Sequence, residues 1–211
     1  MIFRPARYHD DMTATDTTLG LRERKKRAMR ASLSAIALRH AMERGVAQVR
    51  VDDIAAEAGV SPRTFNNYFP SKEAAIVGTA ASRAELFGSA LRARPASESL
   101  HQALCEATLA LFPEEPDRSW VARSQLLRSE ASLQAEERKS DAEVERVLAA
   151  EIARRTGMDA RRDLYPRVAA ATVVATIHAA LQYWLDASDG ATLRETMRHA
   201  MGHLAIVPPP R

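Results

Sequence analysis

The chain has 211 residues, of which 46% are hydrophobic and 27% are charged, and its formal net charge is +3. This composition is that of an ordinary globular protein, and the single cysteine, Cys105, excludes an internal disulfide framework. No apolar run reaches the roughly 20 residues of a membrane-spanning helix and no signal peptide opens the chain, so we expect a cytoplasmic protein without a membrane partner.

Positive charge is concentrated in the N-terminal part of the chain. Residues 1–80 contain 13 Lys and Arg against 9 Asp and Glu, whereas residues 81–211 contain 17 against 18. An excess of positive charge at one end is typical of a domain that binds nucleic-acid phosphates.

Residues 1–20 lack helical periodicity and are predicted to form a flexible N-terminal arm. Its residues Arg4 and Arg7 have the chemistry to enter a DNA minor groove, although a frayed terminus is the commoner state of such a segment.

Helix one is predicted over residues 21–44, and Gly45 closes it. The start of this helix is the densest basic cluster in the sequence. A run of charges on a helix is usually a solvated face, but beside a DNA-binding motif it favours contact with the phosphates. Arg22, Lys25 and Lys26 are therefore candidate phosphate ligands.

Residues 51–72 read VDDIAAEAGVSPRTFNNYFPSK and predict two short helices joined by a turn. Gly59 suits the left-handed end of the first helix, Ser61 is a good N-cap for the second, and Pro62 fits the second helix's first position. Over the predicted second helix, residues 62–69, helical periodicity places Pro62, Phe65 and Phe69 on one apolar side.

The opposite side of this helix presents Arg63, Thr64 and Asn67. A guanidinium, a hydroxyl with a methyl group, and an amide are groups that read base edges in the major groove. Asn66 and Tyr68 flank this face within reach of phosphates. An eight-residue helix with an aromatic back and a hydrogen-bonding front is typical of the second helix of a helix-turn-helix.

This stretch resembles the DNA-binding signature of the TetR family of bacterial transcription regulators, whose usual wording is close to V-x-x-IA-x-x-AGVS-x-x-TF-x-x-YF-x-x-K. The shared positions are Ile54, Ala55, Ala58, Gly59, Val60, Ser61, Thr64, Phe65, Tyr68, Phe69 and Lys72. The resemblance implies a phosphate contact for Lys72, and Ser61 is a further candidate phosphate ligand. The chain departs from the family at Arg50, which replaces a capping Ser or Thr but can still reach a phosphate, and at Ala41, which replaces an aromatic residue.

The rest of the sequence predicts a series of longer helices. They cover residues 72–92, capped by Ser71, then 97–112, 119–133, 136–156, 166–186, and a last helix that starts at Thr192 with Glu195 in capping-box spacing. We therefore predict an all-α protein of about nine helices. Its parts are the arm (1–20), a helix-turn-helix DNA-binding domain (21–71) and a larger C-terminal helical ligand-binding and dimerisation domain (72–211).

The resemblance also implies a small-molecule pocket in the second domain and a dimer built by the last two helices. The candidate pocket residues form an apolar set, which favours a hydrophobic effector such as a fatty acyl derivative, an aromatic compound or a drug; plain core is the alternative. They are Phe87, Leu91, Leu104, Leu111, Phe112, Trp120, Leu127, Ile177 and Tyr183. The candidate interface residues are Ala175, Ala179, Trp184, Met197, Met201 and Leu204.

The sequence contains no nucleophile elbow, phosphate loop or dinucleotide fingerprint, so we expect neither an enzyme nor a cofactor. His199 and His203 have the spacing of paired metal ligands, but nothing completes a set and no metal is expected. The predicted function is a homodimeric regulator of transcription that binds a pseudo-palindromic double-stranded operator, in the simplest case as a repressor released by its ligand. Two alternatives stay open: a helical small-molecule-binding protein without operator-specific function, and a ligand-independent DNA binder.

Overall fold

The computed structural model describes residues 20–78, 80–187 and 190–206, without the side chains of residues 80–82. The predicted arm, apart from Gly20, lies outside these residues. The described part is all-helical, as predicted, with ten α-helices and one 3₁₀ turn. The chain separates into two compact units, and the boundary between them falls between Gly78 and Thr79.

The first unit contains four of these helices and the 3₁₀ turn. They are α1 (Leu21–Arg44), the 3₁₀ turn (Val46–Gln48), α2 (Val51–Glu57), α3 (Pro62–Asn66) and α4 (Lys72–Val77). Helix α1 has the predicted bounds and ends where Gly45 takes a φ of 80° and donates its N–H to the Ala41 carbonyl at 2.9 Å.

Helix α1 supplies one side of the core of the first unit. Its residues Leu33, Ala37 and Ala41 are buried, and they recur at the three- and four-residue spacing of one helical face. The helix packs against α2, α4 and the 3₁₀ turn. The Ser34 hydroxyl also donates to the Ala75 carbonyl at 2.8 Å, which ties α1 to α4.

The second unit contains six helices. They are α5 (Ala80–Arg92), α6 (Leu100–Leu109), α7 (Arg118–Ser129), α8 (Ala131–Thr156), α9 (Leu164–Asp186) and α10 (Leu193–Gly202). The 26-residue helix α8 lies at the centre, since α5, α6, α7 and α9 all pack against it. Helix α10 packs against α9 and α6.

The helix predicted over residues 72–92 is broken at Gly78, which is why the described residues form ten helices instead of nine. Gly78 has a φ of 89°, a left-handed conformation that glycine adopts without the steric cost of a Cβ atom. A single glycine is also tolerated within helices, so the sequence pattern alone does not signal the break. The break divides the predicted element into α4, in the first unit, and α5, in the second.

Most helix ends follow the predicted capping residues. The capping box of Thr192 and Glu195 is present, and Gly157 ends α8 with a φ of 72°. Helix α8 starts at Ala131, five residues before the predicted start at Glu136, and its N-cap, Glu130, makes no side-chain capping bond. That start was missed because no capping residue marks it.

Helix α9 corrects the expectation about apolar runs. It has 23 residues and contains an 18-residue window with a mean hydropathy of 1.4, which is long and apolar enough to cross a membrane. The core helix of a soluble protein meets the same criterion, so this property does not by itself indicate a membrane.

We predict that Gly78→Ala lowers the free energy of unfolding by about 1 kcal/mol or more, because an alanine at positive φ is strained. A Cβ atom at this position would also lie 3.4 Å from the Ser34 hydroxyl oxygen. Gly202→Ala is the control, since that glycine lies within α10 at negative φ and has open space beside it. Urea unfolding tests both variants. Equal effects would show that the conformation of Gly78 imposes no constraint.

Candidate nucleic-acid interface and ligand-binding region

Helix α3 is the short helix on which the predicted base-reading residues lie. Ser61 caps it as predicted, because its hydroxyl oxygen accepts the Thr64 N–H at 3.1 Å and lies 2.9 Å from the Thr64 hydroxyl. Phe65 and Phe69 are buried, with ring centroids 5.9 Å apart. Pro62 is exposed, so its predicted place on the packed side is wrong.

The regular part of α3 ends at Asn66, three residues before the predicted end. Asn67 then donates its N–H to the Thr64 carbonyl and Tyr68 to the Phe65 carbonyl, which tightens the last turn into 3₁₀ geometry. The Phe69 N–H donates to the Phe65 carbonyl at 3.0 Å, which is again the four-residue spacing of an α-helix. The backbone therefore stays helical enough to keep the side chains of Thr64, Asn67 and Tyr68 near one another.

The outer surface of α3 carries the predicted DNA-contacting groups. Arg63, Asn66 and Asn67 are exposed, whereas Thr64 and Tyr68 are half-buried. Thr64, Asn67 and Tyr68 face a groove of about 1050 Å³, and its other wall is the start of α1. The lining residues of that wall are Leu21, Arg22, Glu23, Lys25, Lys26 and Met29. The structure thus brings together two sets of predicted DNA ligands that are about 40 residues apart in sequence.

Arg30 joins these two elements and has no counterpart among the predicted site residues. Its guanidinium donates to the Tyr68 carbonyl at 2.9 Å and lies 5.7 Å from the centre of the Phe69 ring. Arg30 belongs to the basic run of α1, and a basic run gives no sequence signal that one member turns inward.

The Lys72 side chain does not simply face outward, because its ammonium group binds backbone carbonyls of the same unit. Its ammonium group donates to the carbonyls of Val46 at 2.9 Å and Val49 at 3.0 Å, and a third carbonyl, that of Ala47, lies at 3.4 Å. An ammonium group has three N–H donors, so each of them has a carbonyl partner. The predicted phosphate contact of Lys72 stays a prediction, and a phosphate would have to displace one of these carbonyls.

Arg50, another predicted phosphate ligand, is exposed at the start of α2. It is the N-cap residue of that helix and makes no side-chain capping bond, as the departure from the family pattern predicted. Two acidic residues in the first turn, Asp52 and Asp53, complement the helix dipole instead.

Glu57 fixes α2 to α1 through the side chains of Arg39 and His40. Its carboxylate forms an ion pair with Arg39 and lies 2.9 Å from Nε2 of the buried His40. The Arg39 guanidinium, and to a lesser extent His40, lower the pKa of Glu57. This cluster sits beside the helix-turn-helix and holds the two helices in register.

The predicted ligand-pocket residues fall into two apolar clusters of the second unit. Phe87, Leu91 and Leu104 lie in the main core. Phe112 and Trp120 belong to a second cluster, in which Trp120 makes edge contacts with Phe112 and Trp184 at centroid distances of 6.4 and 6.2 Å.

The remaining predicted pocket residues are less buried. Leu111 packs on the main core, Ile177 contacts both clusters, and Leu127 is half-buried. Tyr183 is 58% exposed, so its assignment to an internal pocket is wrong. Tyr183 instead lies next to the exposed residues Ala175 and Ala179 around the axis of α9.

The predicted dimer residues divide into exposed and buried sets. Ala175 and Ala179 are exposed on α9, and Trp184 and Leu204 are half-buried. Trp184 uses its indole N–H within the chain, donating to the Ala191 carbonyl at 3.0 Å.

Met197 and Met201 are completely buried, which corrects their assignment to an interface with another subunit. The apolar stripe of α10 packs against α9 and α6 of the same chain, so these side chains are not available to a partner.

His199 and His203 lie on the surface with their Nε2 atoms 3.1 Å apart. Among the described residues there is no group of three or more His, Cys, Asp and Glu side chains placed to hold a metal ion.

Comparison with known proteins gives matches over both units. Residues 33–76 match the family model for bacterial regulatory proteins of the tetR family, and residues 94–208 match the model for the MftR C-terminal domain. The HTH-type transcriptional regulator TcmR of Streptomyces glaucescens is 32% identical over 178 residues, which are 81% of this chain and 79% of TcmR.

Solved structures share the fold at lower sequence identity. A protein from Rhodococcus sp. described as a TetR-family transcriptional regulator has a TM-score of 0.53 at 22% identity, covering 82% of this chain and 95% of its own. Salmonella enterica GusR has a TM-score of 0.51 at 20% identity, covering 82% of this chain and 93% of its own.

We predict that Lys72→Met lowers the free energy of unfolding by about 1–3 kcal/mol, because the carbonyls at the end of the 3₁₀ turn lose a charged donor. Lys26→Met is the control, since it removes the same charge from an exposed position on α1. Chemical unfolding of both variants at one ionic strength is the measurement. If the two variants unfold alike, the ammonium contributes nothing through these carbonyls.

Proposed function

The chain belongs to the TetR family of bacterial transcriptional regulators, and we propose that it acts as a homodimeric repressor that a small hydrophobic ligand releases from its operator. As a transcriptional regulator it would act in the cytoplasm, where bacterial DNA lies. The observation that carries the proposal is the groove in which the outer face of α3 meets the basic start of α1.

Arg63, Thr64 and Asn67 are proposed to read bases in the major groove. Arg63 and Asn67 are exposed. The paired donors of the Arg63 guanidinium suit the two acceptors of guanine, and the donor and acceptor of the Asn67 amide suit the edge of adenine. Thr64 has its hydroxyl beside Ser61, so its methyl group remains for an apolar contact with thymine.

The phosphate contacts are proposed to surround this face. Arg22, Lys25 and Lys26 are exposed along one wall of the groove, and Ser61, Asn66 and Tyr68 lie around α3. Arg50 is exposed beside the start of α2. We place Lys72 behind these groups, as the residue that holds the turn before α2.

A homodimer is proposed because one recognition helix reads only a few base pairs. Two such helices about 34–36 Å apart, or a multiple of this distance, would read a two-fold symmetric operator. Exposed side chains on α9 form a continuous stripe suited to a partner copy: Leu164, Val168, Ala175, Ala179 and Tyr183. Leu164 is 73% and Val168 51% exposed, and exposed apolar side chains that lie together mark interaction surfaces.

The second unit is proposed to bind the effector. Its second apolar cluster contains three aromatic side chains in edge contact, Phe112, Trp120 and Trp184, which suit a flat or extended apolar molecule. Release from DNA requires the ligand to prefer a conformer with weaker operator affinity, and such preferences are typically about 1–3 kcal/mol.

Arg63→Ala is expected to lower affinity for the preferred operator by about 1–3 kcal/mol and to relax the base preference at one position of each half-site. Binding-site selection from a randomised DNA library, with wild type and variant in parallel, measures this directly. Arg50→Ala is the matched control, an exposed arginine expected to weaken all sequences alike and to reduce the salt dependence by about one phosphate contact. An unchanged consensus for Arg63→Ala would refute its base-reading role.

Ala179→Arg is expected to weaken the dimer about a hundredfold or more, because a charge left without a partner in an apolar interface costs at least about 3 kcal/mol. Ala142→Arg places the same side chain on an exposed position of α8 and should leave the dimer intact. Sedimentation equilibrium across a protein concentration series distinguishes them. A dimer of normal strength in Ala179→Arg would exclude this face of α9 as the interface.

A further inference from the structure

A cluster of five ionisable side chains lies between four helices of the second unit, and its members Arg83 and His178 are 38% and 42% exposed. Its members are Arg83 on α5, Arg123 on α7, Glu137 and Asp141 on α8, and His178 on α9. Arg83 Nη1 lies 3.5 Å from Glu137 Oε1, and His178 Nε2 lies 3.0 Å from Asp141 Oδ2.

The two carboxylates occupy positions that the rest of α8 fills with apolar residues. Leu133, Val144 and Leu148 are buried on the same helical face, and Glu137 and Asp141 fall between them at four-residue spacing. Their side chains are only 18% and 14% exposed. Charged groups at such positions are costly unless they are paired, so the cluster is a specific feature of this helix and not part of its solvated face.

The guanidinium groups are incompletely paired. Arg83 Nε and Nη2 and Arg123 Nε are buried, and none of these three atoms has a hydrogen-bond partner among the described residues. Burial, and then the neighbouring Arg83 charge, lower the pKa of Arg123. Two arginines close enough to repel each other, with donors to spare, form an environment that an additional anion would stabilise.

The net charge of the five groups also favours an anionic ligand. The two arginines and the two carboxylates cancel, and the hydrogen bond to Asp141 raises the pKa of His178, which favours its charged form. With His178 protonated, the five groups carry one positive charge in excess. A single negative charge on a ligand would neutralise that excess and accept the unused N–H groups.

The surroundings of the cluster are apolar. Trp120 and Leu127 lie on the same face of α7 as Arg123, three residues before and four after it. Ile177 and Leu181, which flank His178 along α9, belong to the aromatic-rich second cluster. A ligand anchored at Arg123 would therefore have its uncharged part against tryptophan and aliphatic side chains.

We propose that Arg83 and Arg123 bind the carboxylate of an effector whose remaining part is apolar. This inference rests on the proposed ligand-binding role of the second unit and specifies the chemical class of its ligand. We expect Arg123 to be the main carboxylate ligand, because its helix also carries Trp120 of the second apolar cluster. Arg83 already has Glu137 as a partner. Planar guanidinium groups donate paired hydrogen bonds to the two oxygens of a carboxylate, whereas a carboxamide of the same shape has one acceptor oxygen and no negative charge.

Calorimetric titration of the DNA-free protein tests the proposal with three matched pairs: benzoate and benzamide, 2-naphthoate and 2-naphthamide, and decanoate and decanamide. At least one carboxylate should bind about ten- to a hundredfold tighter than its amide, the loss expected for a charge-assisted hydrogen bond. Arg123→Met should remove that difference. Arg128→Met should retain it, because Arg128 lies on the same helix but its guanidinium already contacts Gln182 and Asp186.

Folding of the variants is checked separately by thermal unfolding without ligand. Arg123→Met should be at least as stable as the wild type, since it removes an incompletely paired buried charge. Arg83→Met provides a second variant, with the same loss of discrimination expected. Absence of binding by every carboxylate, or equal binding of carboxylate and amide, would overturn the proposal.

DNA release is measured apart from ligand binding. A carboxylate that binds through Arg123 and also weakens operator binding supports both the site and ligand-released repression. A carboxylate that binds through Arg123 but leaves operator affinity unchanged supports the site and contradicts ligand-released repression. Different results therefore contradict the carboxylate site and the release of DNA by a ligand.

Discussion

The five-residue helix α3 is stable only through the residues that pack against it, because isolated helices of this length do not persist in water. Phe65 and Phe69 anchor its inner side in the core of the first unit. Arg30 holds the end of its last turn through the Tyr68 carbonyl. The outer face consequently carries little of the packing, and its residues Arg63, Asn66 and Asn67 are exposed.

The same unit explains why the basic start of α1 lies beside the proposed DNA-binding face of α3. Arg30 joins α1 to the turn after α3, so the residues that precede it on α1 line one wall of the groove. On the other side of the helix-turn-helix, Lys72 ties α4 to the 3₁₀ turn that leads into α2. Two cations thus act within the protein, and their exposed basic neighbours remain available for phosphates.

The features that depend on neighbouring residues could be predicted from the sequence. The cap at Ser61, the bounds of α1 and the capping box at Thr192 depend on neighbouring residues, and the structure contains each of them. Features that depend on contacts distant in sequence, or on a conformation that has no unique residue code, could not be predicted. Gly78 breaks a helix that a glycine alone does not predict, and Lys72 turns toward carbonyls about 25 residues earlier.

The predicted faces of the C-terminal helices show the same limit. Helical periodicity identifies an apolar stripe but does not say whether it packs within the chain or against another chain. Met197 and Met201 are core, whereas Ala175 and Ala179 on α9 are exposed. No local sequence pattern predicts the ionic cluster at Arg123, because its five members come from four helices.

Footprinting of the purified protein on a library of fragments from its own genome, against random DNA of equal length and across a salt series, tests the account most directly. We predict that a dimer protects a two-fold symmetric site and that its preference for this site persists as salt weakens the phosphate contacts. The half-sites should be about one helical turn, or a multiple of it, apart. Uniform binding to all fragments that vanishes with salt would contradict the account.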